Sequence, residues 1–275
     1  MNRLLSETDT AKLLKSLTLP ALPAVLSELR AAQSREASGA ELAKIIGRDL
    51  GLSAAVLKTA NSPSFAAGKL DSLNDALHFL GTANLDSVVT GVALKRALPL
   101  PPILGMFWEE STRIAAIAAM LAQRWRMVRP DQAYLFCLFR DCGIPVLTQR
   151  FPSYVNTLAR AMTNPARFIE IEQKSRATSH VVVGYLLART WFLPELLAQA
   201  ILYHHDFEQL YDESLLSLDS ARLIALARLA EHLMQTRQRH EADPHWVDIQ
   251  DYILTTLSIS SEAYDDAAEL VEAMS

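Results

Sequence analysis

Three adjacent residues, His204, His205 and Asp206, have the side-chain types that ligate transition metals. In proteins, Zn²⁺ is commonly bound by imidazole nitrogens and carboxylate oxygens. Neighbouring side chains on a helix point about 100° apart, so adjacent histidines rarely ligate one ion. An imidazole at a helix C-terminus is also favoured by the negative end of the helix dipole. We therefore favour a helix end over a metal site at this run.

A second candidate is the charged pair Arg140-Asp141, which interrupts an apolar stretch over residues 136–145. Buried charges are rare unless they are paired. The pair is therefore a local ion pair or helix cap, or else the remnant of a former active site.

The elements that must position these residues are helices. Glycine is scarce, at 9 of 275 residues, and apolar residues recur at helical spacing along the chain. We expect an all-α protein of twelve to fourteen helices, with no strand. The prolines Pro99, Pro101 and Pro102 mark the clearest break. We predict an N-terminal helical subdomain over 1–104, a second subdomain over 105–240 and an acidic helical extension over 241–275.

Formal charge is spread unevenly along the chain. Residues 1–100 carry 11 basic and 9 acidic side chains, residues 101–200 carry 11 and 7, and residues 201–275 carry 4 and 15. This balance disfavours a general nucleic-acid binder, which needs a basic surplus. Residues 41–60 resemble a helix-turn-helix, but the second helix offers mostly alanine, valine and leucine, so we expect no DNA binding. The acidic end is a solvated face, or a docking surface for a partner or for the Arg-rich middle of the chain.

Cysteine usage and hydropathy bear on the compartment. Cys137 and Cys142 form neither a CxxC pair nor a disulfide framework, so we interpret them as reduced. The first 14 residues lack the apolar core of a signal peptide, and no stretch is apolar for the about 18 residues a membrane span needs. We expect a soluble, cytoplasmic protein without membrane insertion.

An ordered set of segments resembles the HDOD (HD-related output domain) family over about residues 15–240. The resemblance implies a multi-helix fold related to the HD metal-dependent phosphohydrolases. It also implies a bacterial signal-transduction role without demonstrated enzymatic activity. The segments are Leu19-Pro20-Ala21-Leu22-Pro23, Ala60-Asn61-Ser62-Pro63, residues 76–81, 107–111 and 136–143, Gly184-Tyr185-Leu186-Leu187, Trp191, Leu193-Pro194 and residues 203–206.

The resemblance also places the ligand positions of the catalytic superfamily. The first histidine falls at Glu110, the His-Asp doublet at Arg140-Asp141 and the later aspartate near Arg228, so only Asp141 matches. Arginine stays protonated and has no lone pair for a metal. We therefore expect no metal, no cofactor and no metal-assisted hydrolysis. Two carboxylates and two guanidiniums could instead form a salt-bridge cluster with separations within about 4 Å.

A residual site is the less favoured alternative for these residues. His180 stands where HD relatives often keep a histidine, and it could join His204, His205 and Asp141. The spacing alone does not establish a function.

The leading functional expectation is a non-catalytic signalling module that binds a protein partner. We expect no output or sensor domain to be fused to it, and we therefore expect it to act through non-covalent contacts. A nucleotide or other anion sensor is the alternative, because residues 113–167 carry eight arginines against Asp131 and Asp141. A phosphohydrolase with unusual ligands is the second alternative. The partner, the input signal and the oligomeric state stay open.

Overall fold

The computed structural model describes residues 17–61, 70–176 and 178–274. Within these ranges the chain forms fourteen α-helices and no strand, which confirms the all-α prediction. The helices are α1 (Ala24–Ser34), α2 (Gly39–Gly47), α3 (Leu50–Ala60), α4 (Leu73–Ala97), α5 (Phe107–Trp125), α6 (Pro130–Phe139), α7 (Gly143–Arg150), α8 (Tyr154–Met162), α9 (Phe168–Arg176), α10 (His180–Thr190), α11 (Glu195–Tyr203), α12 (Leu218–Leu233), α13 (Trp246–Leu257) and α14 (Ser261–Glu272).

Serine and aspartate side chains begin several of these helices by capping free backbone N–H groups. Ser72 caps α4 by accepting from the backbone nitrogen of Asp75 at 3.1 Å. Gly81, with a φ of 68° and a ψ of 174°, lies outside the helical region and divides α4 into two helical segments that meet at a kink. Asp49 caps α3 by accepting from the backbone nitrogen of Leu52 at 2.9 Å, so the chain bends between α2 and α3.

Helix α6 lies in the core, and its residues 133–139 are all buried. It packs against α4, α5, α11 and α12. Gly91 of α4 allows a close approach, since a Cβ there would lie 2.5 Å from Leu138 of α6. This packing crosses residue 104, and the proposed subdomain boundaries at residues 104 and 240 stay predictions.

The N-terminal helices are also tied to the second half of the chain. The Arg30 guanidinium donates to the carbonyl of Trp191 at 2.8 Å, and the Trp191 indole donates to the carbonyl of Pro20 at 2.8 Å. The motif residues Ser62 and Pro63 lie outside the described residues. Among the helices described, none combines the length and apolar character required to span a bilayer.

Candidate functional site

Four side chains from three parts of the chain converge at one point. Asp141 follows α6, His180 begins α10, and His204 and His205 follow α11. Their ligand atoms all lie within 4.8 Å of one another. His180 Nε2 lies 3.2 Å from His205 Nε2 and 3.5 Å from His204 Nε2. Asp141 Oδ1 lies 3.3 Å from His204 Nε2 and 3.5 Å from His180 Nε2. We call these four residues the three-histidine cluster.

The two adjacent histidines reach the same point because α11 ends at Tyr203. His204 and His205 lie in the turn beyond it, with ring centroids 4.4 Å apart, so the helical separation of about 100° does not apply. Asp206 is not one of the four converging residues. It precedes a short 3-10 helix over Phe207–Gln209.

Close packing of α7 against α10 sets the distance between Asp141 and His180. A Cβ built on Gly143 would lie 2.1 Å from the carbonyl oxygen of His180, so the start of α7 can approach α10 only at a glycine. The adjoining helices α10 and α11 also pack together, which brings His180 to His204.

Hydrogen bonds at the far side of each ring orient two of the histidines. His180 Nδ1 lies 2.8 Å from Oε2 of Glu172, a carboxylate that is fully buried. The Tyr154 hydroxyl donates to the other oxygen of Glu172. His204 Nδ1 lies 2.9 Å from the carbonyl oxygen of Ile201. Because Nδ1–H donates in both rings, each Nε2 presents its lone pair to the cluster.

Electrostatics favour the states that a metal needs. Burial disfavours the charge of Asp141, but the adjacent Arg140 guanidinium outweighs it and holds the pKa of Asp141 well below its usual value. Burial also lowers the pKa of His204 against the opposing effect of Asp141. An ionised carboxylate and a neutral imidazole are the ligand forms.

The cluster is largely shielded from solvent. His180 is completely buried and His204 is 8% exposed. The ring of Phe168, at the start of α9, lies 5.1 Å from the His180 ring and 5.0 Å from the His205 ring.

The donor set and its spacing fit one transition-metal ion. A tetrahedral ion about 2.0–2.1 Å from each ligand separates its ligand atoms by about 3.3–3.4 Å. Of the six separations among the four ligand atoms, four are 3.2–3.5 Å and all are within 4.8 Å. Three imidazoles and one carboxylate suit Zn²⁺ and similar ions better than Mg²⁺ or Ca²⁺, which prefer oxygen ligands.

The salt-bridge cluster predicted for the matched positions forms only in part. Arg140 Nε lies 3.0 Å from Asp141 Oδ2, as expected. Glu110, however, pairs with Arg239 at 2.7 Å, and Arg228 pairs with Asp243 at 2.7 Å. The prediction for Glu110 and Arg228 was wrong because it omitted the charged side chains that follow α12.

Glu231 of α12 joins these pairs. It lies 3.1 Å from Arg140 Nη2 and 4.0 Å from Arg228 Nη1. We call Arg140, Glu231, Arg228 and Asp243 the charged bridge. Glu172, Glu231 and Asp243 did not enter the sequence prediction. Glu231 stands three residues after Arg228, a spacing that indicates a shared helix face.

The charged bridge ends in a buried aromatic group that anchors the C-terminal helices. His232 Nδ1 lies 2.8 Å from Asp243 Oδ2, and His232 Nε2 lies 3.0 Å from the Tyr264 hydroxyl. The Trp246 ring stacks on His232 with 3.9 Å between centroids. Asp266 of α14 also pairs with Arg124 at 2.9 Å, so the acidic end contacts the Arg-rich middle of the chain.

A family model for the HDOD domain matches residues 19–207, and the chain belongs to that family.

Two solved structures show the same fold. One, from Shewanella amazonensis and described as a presumed phosphohydrolase, has a TM-score of 0.72 at 21% identity and covers 96% of both chains. The other is an HDOD domain protein of unknown function from Geobacter sulfurreducens. It has a TM-score of 0.68 at 23% identity, with 98% of this chain and 97% of that chain covered. An uncharacterized Treponema pallidum protein is 25% identical over 224 residues, which are 75% of this chain and 42% of that protein.

Proposed function

We propose that this chain is a regulatory domain of bacterial signal transduction that binds one divalent transition-metal ion without catalysing hydrolysis. It acts in the cytoplasm through contacts with a protein partner. Membership of the HDOD family fits a regulatory role. The metal site revises the expectation from sequence that no metal binds.

The convergence of four donor atoms carries the proposal. Asp141 Oδ1 and Nε2 of His180, His204 and His205 lie within 4.8 Å of one another, and four of the six separations are close to those around a tetrahedral ion. Glu172 fixes the orientation of His180, as carboxylates do behind metal-binding histidines. A bound ion would supply positive charge at the centre of the cluster and hold α6, α10 and α11 together there.

The same ligand count supports a non-catalytic role. Catalytic zinc sites have three protein ligands and keep a position for water, whereas structural sites are closed by four. The cluster offers four. Arg140 and Arg228 stand at two of the positions that match ligands of the catalytic superfamily, and guanidinium groups cannot ligate a second ion.

Metal titration tests the proposal. Chelator-treated protein is titrated with Zn²⁺, and bound metal is counted per chain. We expect one equivalent for the unaltered protein and a large loss of affinity for His180→Ala. His78→Ala, which changes an exposed histidine, is the matched control. Absence of binding, or equal binding by both variants, would overturn the proposed site.

A phosphodiester assay tests the non-catalytic part separately. We expect the zinc- and manganese-loaded protein not to hydrolyse bis(p-nitrophenyl) phosphate. Turnover that disappears in His180→Ala would instead establish the phosphohydrolase alternative, in which one of the four ligands leaves and water takes its place.

A surface cleft favours the anion-sensor alternative. It has a volume of about 410 Å³, and its lining includes Arg160, Arg167 and Lys174. Arg167 and Lys174 both pair with Glu170, which neutralises part of this charge. Thermal stabilisation by a nucleotide that is lost in Arg160→Ala would support a sensor. No shift with a panel of nucleotides would count against it.

A further inference from the structure

The charged bridge runs without a break from the three-histidine cluster to the C-terminal helices. Asp141 directs Oδ1 to the histidines and Oδ2 to Arg140. Arg140 contacts Glu231, Glu231 faces Arg228, and Arg228 holds both oxygens of Asp243 at 2.8 and 2.7 Å. The side chains of Arg140, Arg228 and Asp243 are each at most 10% exposed, so solvent and salt screen these three charges only weakly, whereas Glu231 between the two arginines is 36% exposed.

Glu231 is shared unequally between the two guanidinium groups. It bonds Arg140 twice, at 3.1 and 3.3 Å, but it lies 4.0 Å from Arg228 Nη1. That Nη1 is buried and has no hydrogen-bond partner within the described part of the chain. A buried donor without an acceptor is unfavourable, so a turn of Glu231 toward Arg228 would satisfy Nη1 at the expense of the contacts with Arg140.

The backbone that follows α12 is irregular, at the place where altered contacts of Glu231 and Arg228 would change the conformation of the chain. Residues Met234–Gln238 form a π-helix, a feature often found at functional sites, and His240 has a φ of 54°. Arg239 between them pairs with Glu110 at 2.7 Å. Helices α13 and α14 follow this segment and contact α12 through Trp246 and Tyr264 on His232.

We infer that occupancy of the three-histidine cluster by a metal ion controls how firmly α13 and α14 pack on the rest of the protein. The inference rests on the proposed metal binding. An ion bound to Asp141 Oδ1 attracts the negative charge of this carboxylate, which weakens the attraction between Asp141 and Arg140. Arg140 then depends more on Glu231 and keeps it away from Arg228, which leaves Arg228 to hold Asp243. In the unloaded protein Glu231 can turn to Nη1 of Arg228. Two carboxylates then share the one positive charge of Arg228, which weakens its hold on Asp243 through Nη2 and loosens the C-terminal helices.

Amide hydrogen exchange on the full chain, with Zn²⁺ and with chelator, tests this coupling. We expect amides of residues 246–272 to exchange at least about fivefold more slowly with Zn²⁺, the lower end of typical coupling between two sites. Helices α2 and α3 serve as the internal reference, since they lie outside the bridge. Slower exchange everywhere by the same factor would show general stabilisation and would contradict the inference.

Glu231→Gln is the decisive variant because it removes a charge of the bridge and leaves the four metal ligands in place. It should still bind Zn²⁺, but the exchange difference in residues 246–272 should vanish. Coupling between two sites is reciprocal. The Zn²⁺ affinity of Glu231→Gln should therefore fall by the same factor by which Zn²⁺ slows exchange of residues 246–272 in the unaltered protein. Arg124→Ala breaks the pair with Asp266 outside the bridge and should keep the difference.

The outcomes separate this inference from the proposed function. If Zn²⁺ binds and the exchange of residues 246–272 does not change, the coupling is wrong and the metal site stands. Equal effects in Glu231→Gln and the unaltered protein would also exclude the bridge as the path. If Zn²⁺ does not bind at all, the proposed function and the coupling both fail.

Discussion

Glu172 holds His180 through a single carboxylate oxygen, Oε2, which lies 3.2 Å from the backbone nitrogen and 2.8 Å from Nδ1 of the histidine. Both residues are fully buried. One oxygen therefore fixes the start of α10 and the orientation of the ring together. This couples the backbone position of His180 to the direction of its Nε2 lone pair.

Replacing Glu172 by Gln should weaken Zn²⁺ binding about 10- to 100-fold, the usual effect of losing a carboxylate behind a metal-binding histidine. Glutamine keeps the size but removes the charge that makes His180 a stronger donor. Competition with a chelating dye measures the affinity. Glu195→Gln, an exposed partner of Arg189, is the control and should bind normally. An unchanged affinity in Glu172→Gln would contradict the assigned role.

Alanine at Gly143 should displace His180. The added Cβ would meet the His180 carbonyl oxygen at 2.1 Å, so the two helices must separate. We expect a loss of about 1–3 kcal/mol in the free energy of unfolding, together with weaker Zn²⁺ binding. Gly47→Ala is the matched control, since nothing lies within 4 Å of its added Cβ. Equal stability in the two variants, measured by urea unfolding, would show that the approach is not tight.

Replacing Arg140 should destabilise the protein because it leaves the charge of Asp141 without its guanidinium partner. Breaking a buried ion pair by removing one partner costs about 3–5 kcal/mol, and we expect such a loss for Arg140→Ala in chelator. Zn²⁺ should reduce the loss, since the ion neutralises the same carboxylate. Arg189→Ala breaks an exposed pair and should cost at most about 1 kcal/mol. Similar losses in both variants would contradict the importance of the buried pair.

We expect acid to weaken the contacts by which Asp243 anchors the C-terminal helices. Burial disfavours the charge of Asp243, but His232 and Arg228 outweigh it and lower its pKa to about 2, against an ordinary value of about 3.9. The unfolded chain binds this proton first, so the stabilisation is complete above about pH 4 and is lost as pH falls to about 2. Unfolding measured against pH should show a shallower decline over this window in Asp243→Asn. An identical decline would exclude Asp243 as a contributor.

The two cysteines should be inert in the folded protein. Both are free and buried, and burial raises the pKa of Cys137 to about 12 and that of Cys142 further. We expect no reaction with a thiol reagent such as dithionitrobenzoate at pH 8, and two thiols per chain after denaturation. Rapid labelling of the native protein would contradict this expectation.

The helices were predictable because their ends have local causes. Pro194 and the apolar pattern after it predict a helix over 194–203, and the structure has Glu195–Tyr203. That prediction already places His204 beyond the helix, where the angular argument against shared ligation fails. The convergence with Asp141 and His180 was not predictable locally, since it depends on which helices meet.

The charged bridge was not predictable from the sequence for a related reason. Asp243 reaches Arg228 across the π-helix over Met234–Gln238, and no periodic spacing indicates such a contact. Glu110 was matched to a ligand position by motif, yet its partner is Arg239. A motif alignment locates a position on a helix, whereas the partner of a long side chain depends on the charges that tertiary packing brings near it.

Arg140 gives this region a cation that no chelator can remove. Glu231 and Asp141 hold the pKa of its guanidinium above the ordinary value despite burial, so the group stays charged at every pH at which the protein is folded. Occupancy of a metal site depends on the metal concentration in the cell, whereas the Arg140 side chain is part of every copy of the protein. With the proposed ion in the three-histidine cluster, metal starvation would empty the cluster and leave the adjoining positive charge in place.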